Sequence, residues 1–169
     1  MVTGANAYVA NWLVKNLLDE GLTVHTAVIN LNNKKKIAHL IEVAEKAEGA
    51  IKFFESDLLK NGSYKKAMED CELFFYTASP ITFHVKDAQK ELIDPAVLGT
   101  ENVLNSANEV HSVKKVVLPS SSLAMVTYVM DTINNTEDKL TEKLWNETTS
   151  LGYQPYAYSK TLAKKRLGK

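Results

Sequence analysis

Cysteine occurs once in this 169-residue chain, at Cys71. No internal disulfide can form, a pattern that fits a reducing compartment. Net charge is missing too, because 20 Lys and Arg balance 20 Asp and Glu. A dedicated nucleic-acid binder carries a basic excess, so that class is set aside, and the cluster Lys34-Lys35-Lys36 reads by default as a solvated loop. No apolar run reaches the roughly 18–20 residues that cross a bilayer, and the N-terminus lacks the charged-then-apolar pattern of a leader. These absences predict a cytoplasmic protein with neither a membrane nor a nucleic-acid partner. His25, His39, His84 and His111 have no metal-ligand spacing, and no nucleophile adjoins a base, so no metal site is predicted.

What the chain does have is alternation. Met1-Val2-Thr3 reads as the tail of a strand, and Gly4-Ala5-Asn6-Ala7 as a turn. From Tyr8 to Glu20, apolar residues at 9, 13, 14, 17 and 18 form a helical stripe that Gly21 ends. Leu22–Ile29 is β-rich, which completes a strand–helix–strand unit with a parallel sheet and a right-handed crossover. Helices follow over 37–47 and 63–70, strands over 51–55 and 72–77, a long helix over 89–110 that Pro95 enters or kinks, and a strand over 113–118. Residues 127–150 are polar and irregular, with a short helix over 137–145. The predicted fold is α/β: a Rossmann-like, doubly wound parallel sheet with helices on both faces, forming one dinucleotide-binding domain over residues 1–169.

Ligands of such sheets bind along the carboxyl edge of the strands. The turn Gly4-x-x-Ala7-x-x-Ala10 lies there, where a helix N-terminus offers free N–H groups to a pyrophosphate. Thr77-Ala78-Ser79-Pro80 and Leu118-Pro119-Ser120-Ser121-Ser122 leave strands at the same edge. After the second strand, an acidic residue would favour NAD and a basic one NADP. Ile29-Asn30 is neither, while Lys34, Lys35 and Lys36 follow closely, so NADP is expected and NAD stays open.

Near the C-terminus, Pro155 suits the first turn of a helix that carries Tyr156 and Lys160 on one face. A nearby ammonium favours the phenolate, so Lys160 is expected to lower the Tyr156 pKa and fit the phenol for proton transfer. A hydroxyl from the serine run could share its substrate oxygen.

The segments Val2–Ala10, Asp57-Leu58, Thr77–Pro80, Pro95–Leu104, Val116–Ser121 and Tyr156-x-x-Ser159-Lys160 occur in one order. That order resembles the extended short-chain dehydrogenase/reductase family, in its dihydroflavonol reductase-like and aldehyde (carbonyl) reductase branch. The resemblance implies hydride transfer between NADPH and a small carbonyl or alcohol substrate. Catalysis would fall to Ser121 (with Ser122 as the alternative), Tyr156 and Lys160. Gly4, Asn6, Ala7, Tyr8, Val9, Lys36, Asp57, Leu58, Thr77, Ala78 and Ser79 would bind the cofactor, together with Tyr156 and Lys160. Two departures stand out: family members carry Gly in place of Ala7, and this branch carries Arg in place of Ile29. The resemblance also implies a chain truncated at both ends, incomplete at its C-terminus and lacking its substrate region, with little activity of its own. A non-catalytic dinucleotide-binding module and a sugar-nucleotide epimerase or dehydratase are the alternatives.

Overall fold

The computed structural model describes residues 1–79, 85–128 and 140–167. Among these, five strands form one parallel sheet: β1 (Val2–Thr3), β2 (Thr23–Val28), β3 (Ala50–Glu55), β4 (Leu73–Phe75) and β5 (Lys115–Val117). Their order is β3-β2-β1-β4-β5, so the chain winds outward from β1 in one direction and then restarts beside it at β4. The reversal places a topological switch point between β1 and β4.

The chain divides into two compact units. Met1–Ser79 and Asn102–Pro119 form the first; Pro80–Glu101 and Ser120–Lys169 form the second.

In the first unit, the two-residue period of the strands divides the core. Val24 and Val28 of β2 face α1 (Tyr8–Asp19) and α2 (Lys34–Lys46), with Val14, Leu18 and Leu40. Ala27 of β2 and Phe74 of β4 face the opposite layer, with Met68 of the short α3 (Lys65–Met68) and with Val103 and Ala107. Leu18 and Leu40 are fully buried, and each such side chain contributes about 1.5–3 kcal/mol through removal from water. The buried row of α1 is Ala10, Val14 and Leu18, whereas Val9, expected in the stripe, is 63% exposed. Ala10 explains the shift, since its small side chain lets the helix settle against the sheet. His25 is buried with its Nδ1 hydrogen-bonded to the Ala67 carbonyl at 2.9 Å, which accounts for it without chemistry.

A cavity of about 500 Å³ opens in this unit among Met1, Thr23, His25, Cys71 and Leu73. These residues mark the amino ends of β1, β2 and β4, the edge opposite the ligand loops, so the cavity is unrelated to a dinucleotide site.

The long helix predicted over 89–110 comprises a π-helical stretch, Gln89–Ile93, followed by α4 (Asp94–Glu109). Pro95 is the cause: it has no N–H for the carbonyl of Glu91, so the preceding turn widens. In the second unit, a 3-10 turn (Ser122–Ala124) and α5 (Pro155–Arg166) carry the remaining candidate residues. The helix expected over 137–145 lies outside the described residues up to 139, and residues 140–145 form turns without a helix.

Candidate active site

Gly4 leaves β1 with φ +58°, and its amide donates to the Ala27 carbonyl at 2.9 Å. A Cβ at this position would lie 3.1 Å from both Cα and Cβ of Ala78. Glycine is therefore required twice, by its left-handed backbone and by the close approach of the β4 exit. The two exits are tied together. The Thr77 hydroxyl donates to the Thr3 carbonyl, and the Ala78 amide donates to the Thr3 hydroxyl at 2.9 Å. Ser79 lies exposed just beyond.

Ala7 occupies the N-cap of α1 with extended backbone, and no side chain caps the helix. The first turn holds no acidic residue, and Asn6, Ala7, Tyr8 and Val9 are all exposed. An uncapped 12-residue helix opening beside the switch point has unsatisfied N–H groups and the positive end of its dipole turned outward. This arrangement fits the pyrophosphate of a dinucleotide. Ala7 reaches its backbone geometry with φ −85°, so the fold itself does not demand glycine there.

Beyond β2, Ile29 is 76% exposed and offers no polar group. Lys34, Lys35 and Lys36 form the first turn of α2, a position suited to a 2′-phosphate. The sequence reading missed Glu55. Its Oε2 accepts the Leu31 amide at 3.2 Å, so a carboxylate reaches the end of β2 from β3. Only strand register reveals it: Glu55 is paired with Val28.

Asp57 and Leu58 sit in a loop closed by local hydrogen bonds. The Asp57 carboxylate accepts the Leu59 amide at 2.9 Å, and the Ser63 hydroxyl donates to the Asp57 carbonyl at 2.7 Å. Asn102 clamps the loop from α4. Its Nδ2 donates to the carbonyls of Leu58 (2.9 Å) and Lys60 (2.7 Å), and its Oδ1 accepts the Gly62 amide at 2.9 Å.

Ser121, Tyr156 and Lys160 all belong to the second unit. Ser121 caps the 3-10 turn, its Oγ accepting the Leu123 amide at 3.2 Å, while Ser122 is the turn's first residue. Helix α5 packs on that turn. Tyr156 and Lys160 lie one helical turn apart on α5, with the Lys160 Nζ 5.3 Å from the Tyr156 ring centroid. Burial pushes the Tyr156 phenol above its ordinary pKa and pulls the Lys160 ammonium below its own. The lowered phenol expected from the sequence is thus not found, because burial disfavours the phenolate. Ser159 is buried and donates to the Tyr156 carbonyl at 2.6 Å, a backbone role. Gln154, which caps the helix before Pro155, has φ +53°, a left-handed conformation rare for a residue with a side chain.

The chain matches known proteins along nearly its whole length. The sequence profile of the 3-beta hydroxysteroid dehydrogenase/isomerase family matches residues 1–168. A cinnamoyl-CoA reductase of Medicago truncatula is 40% identical over 166 residues, covering 96% of this chain and 50% of that protein. A putative anthocyanidin reductase of Ginkgo biloba is 37% identical, with 96% and 48% covered. Among solved structures, Gre2 of Candida albicans, in complex with NADPH, superposes with a TM-score of 0.78 at 27% identity, covering 99% of this chain and 51% of the other. This chain spans about half the length of the curated relatives it matches.

Proposed function

Because the chain belongs to the 3-beta hydroxysteroid dehydrogenase/isomerase family, we propose that the whole protein is an NADP(H)-dependent oxidoreductase that reduces an aldehyde or ketone to an alcohol. One observation carries this reading: the helix that presents Tyr156 and Lys160 packs on the turn capped by Ser121.

The Ser121 hydroxyl and the Tyr156 phenol hold the substrate's carbonyl oxygen and polarise it toward an alkoxide. NADPH, when bound, would supply the hydride for the carbonyl carbon. Tyr156 gives its proton to the oxygen, and Lys160 offsets the negative charge left on the phenol, which regains a proton from solvent. The α1 N-terminus, with Gly4, Asn6, Ala7, Tyr8 and Val9, would hold the pyrophosphate, and Lys36 the 2′-phosphate. Asp57 and Leu58 would flank the adenine, and Thr77, Ala78 and Ser79 would line the way to the nicotinamide. Residues 1–169 then constitute the dinucleotide-binding part. A cytoplasmic setting fits the single, buried Cys71, and no helix among the described residues is long and apolar enough to cross a membrane.

The test uses the full-length protein with NADPH and a panel of aromatic and aliphatic aldehydes. Turnover is expected, and Tyr156→Phe should reduce it by about 10²–10⁴-fold. NADPH binding without turnover across the panel would instead support a non-catalytic module, the reading favoured by the exposed methyl of Ala7 at the phosphate end.

A further inference from the structure

Lys164 lies on α5 one turn beyond Lys160, and its ammonium does not simply face solvent. Nζ donates to the carbonyls of Glu142 (2.8 Å) and Leu144 (3.0 Å), and it lies 4.3 Å from the centroid of the Trp145 ring. Three contacts fix the 142–145 segment to the helix. The next residue, Asn146, is buried and fully engaged. Its backbone amide donates to the Ala124 carbonyl at 3.1 Å, and its Nδ2 donates to the Leu123 carbonyl at 2.8 Å and to the Thr127 hydroxyl. Its Oδ1 accepts the amides of Thr148 and Thr149, each at 3.2 Å. Leu123 and Ala124 belong to the turn that Ser121 caps.

We infer that Lys164 and Asn146 form a bracket that sets where Ser121 stands relative to Tyr156 and Lys160. The inference rests on the reductase reading for its catalytic meaning, while the bracket itself is a statement about structure. It runs from α5 through Lys164 to the 142–145 segment, and from Asn146 to the 3-10 turn. Both residues are positioning residues, since neither is assigned to substrate or cofactor. Two hydroxyls that grip one oxygen tolerate little displacement, and a shift of roughly 1 Å can cost about 10²-fold in rate.

The test measures two things in the full-length protein: turnover of an aldehyde with NADPH, and hydrogen exchange of the Ala124, Met125 and Val126 amides, which close the turn. Lys164→Met keeps the aliphatic stem and removes every donor. It should lower kcat by roughly 10–100-fold, leave KM for NADPH within about twofold, and speed exchange at the three amides. Lys164→Arg should restore most of kcat, because a guanidinium can still donate to two carbonyls and lie over Trp145. Asn146→Asp removes the donor to Leu123 and should reproduce the Lys164→Met pattern. Unchanged exchange in both Lys164→Met and Asn146→Asp overturns the bracket, and faster exchange with kcat intact overturns its role in placing Ser121. If the unaltered protein turns over no carbonyl, the reductase reading fails, and the exchange measurement still decides whether the bracket exists.

Discussion

The Lys160 ammonium stands 5.3 Å from the centre of the Tyr156 ring, and burial moves the two groups' pKa values in opposite directions, the phenol up and the ammonium down. Both groups are more readily neutral than they would be in water. The proposed chemistry needs the lysine charged, so this pair sets stability against function.

Lys160→Met should therefore raise the thermal midpoint near neutral pH while abolishing turnover. The folded state holds the lysine proton less tightly than the unfolded state does. Between the depressed pKa and the ordinary lysine value of about 10.4, the unfolded chain binds more protons, and stability of the unaltered protein rises with pH. The advantage of Lys160→Met should shrink over that window. Tyr156 acts in the opposite sense: its contribution is present below about 10 and lost as pH rises through its raised folded value. That term is common to both proteins and cancels in the comparison. A pH-independent difference in midpoint would contradict the burial argument.

Gly4→Ala should destabilise the fold by at least about 1–2 kcal/mol, the cost of a left-handed residue with a side chain, before its clash with Ala78 is counted. Chemical denaturation reads this directly. Ala7→Gly should barely change stability and should tighten NADPH binding, because the methyl sits at the uncapped end of α1. Equal affinity for the two forms would remove α1 from the proposed phosphate site.

Gln154→Gly should stabilise the protein by up to about 1 kcal/mol, as relief of the left-handed strain exceeds glycine's entropic penalty. Gln154→Val should do the reverse. A matched pair of melting curves settles the sign, and a destabilised glycine variant would show that the Gln154 side chain contributes more than its backbone costs.

Asn102→Ala strips three hydrogen bonds from the 57–63 loop and leaves its backbone groups without partners. A loss of about 2–3 kcal/mol is expected, with faster amide exchange over the loop and weaker NADPH binding. If binding is unaffected while the loop loosens, Asp57 and Leu58 do not touch the adenosine.

The strand–helix alternation was legible because it is periodic. The buried rows Val14–Leu18 on α1 and Ile37–Leu40 on α2 lie on the helical stripes read from the sequence. The edge-lining turns were legible because Gly4 and the segments 77–79 and 118–122 break those periods. The clamps left no such mark. Asn102 reaches across 40 residues to Gly62, and Asn146 reaches across 23 to Leu123, distances over which no spacing rule applies. Glu55 looked like the last residue of a strand and became a neighbour of Leu31 only through register. The pKa directions at Tyr156 and Lys160 were likewise illegible: adjacency of charges can be read from spacing, but desolvation depends on everything packed around the pair.

The end of α1 holds no titratable side chain in its first turn, Tyr8 apart, and its pull on an anion comes from peptide dipoles, which have no proton to lose. Whatever phosphate settles there should be gripped equally in mild acid and mild alkali, whereas the serine–tyrosine–lysine set must respond to both. Plotted together against pH, the change that Ala7→Gly makes in cofactor dissociation should trace a plateau while turnover traces a hill.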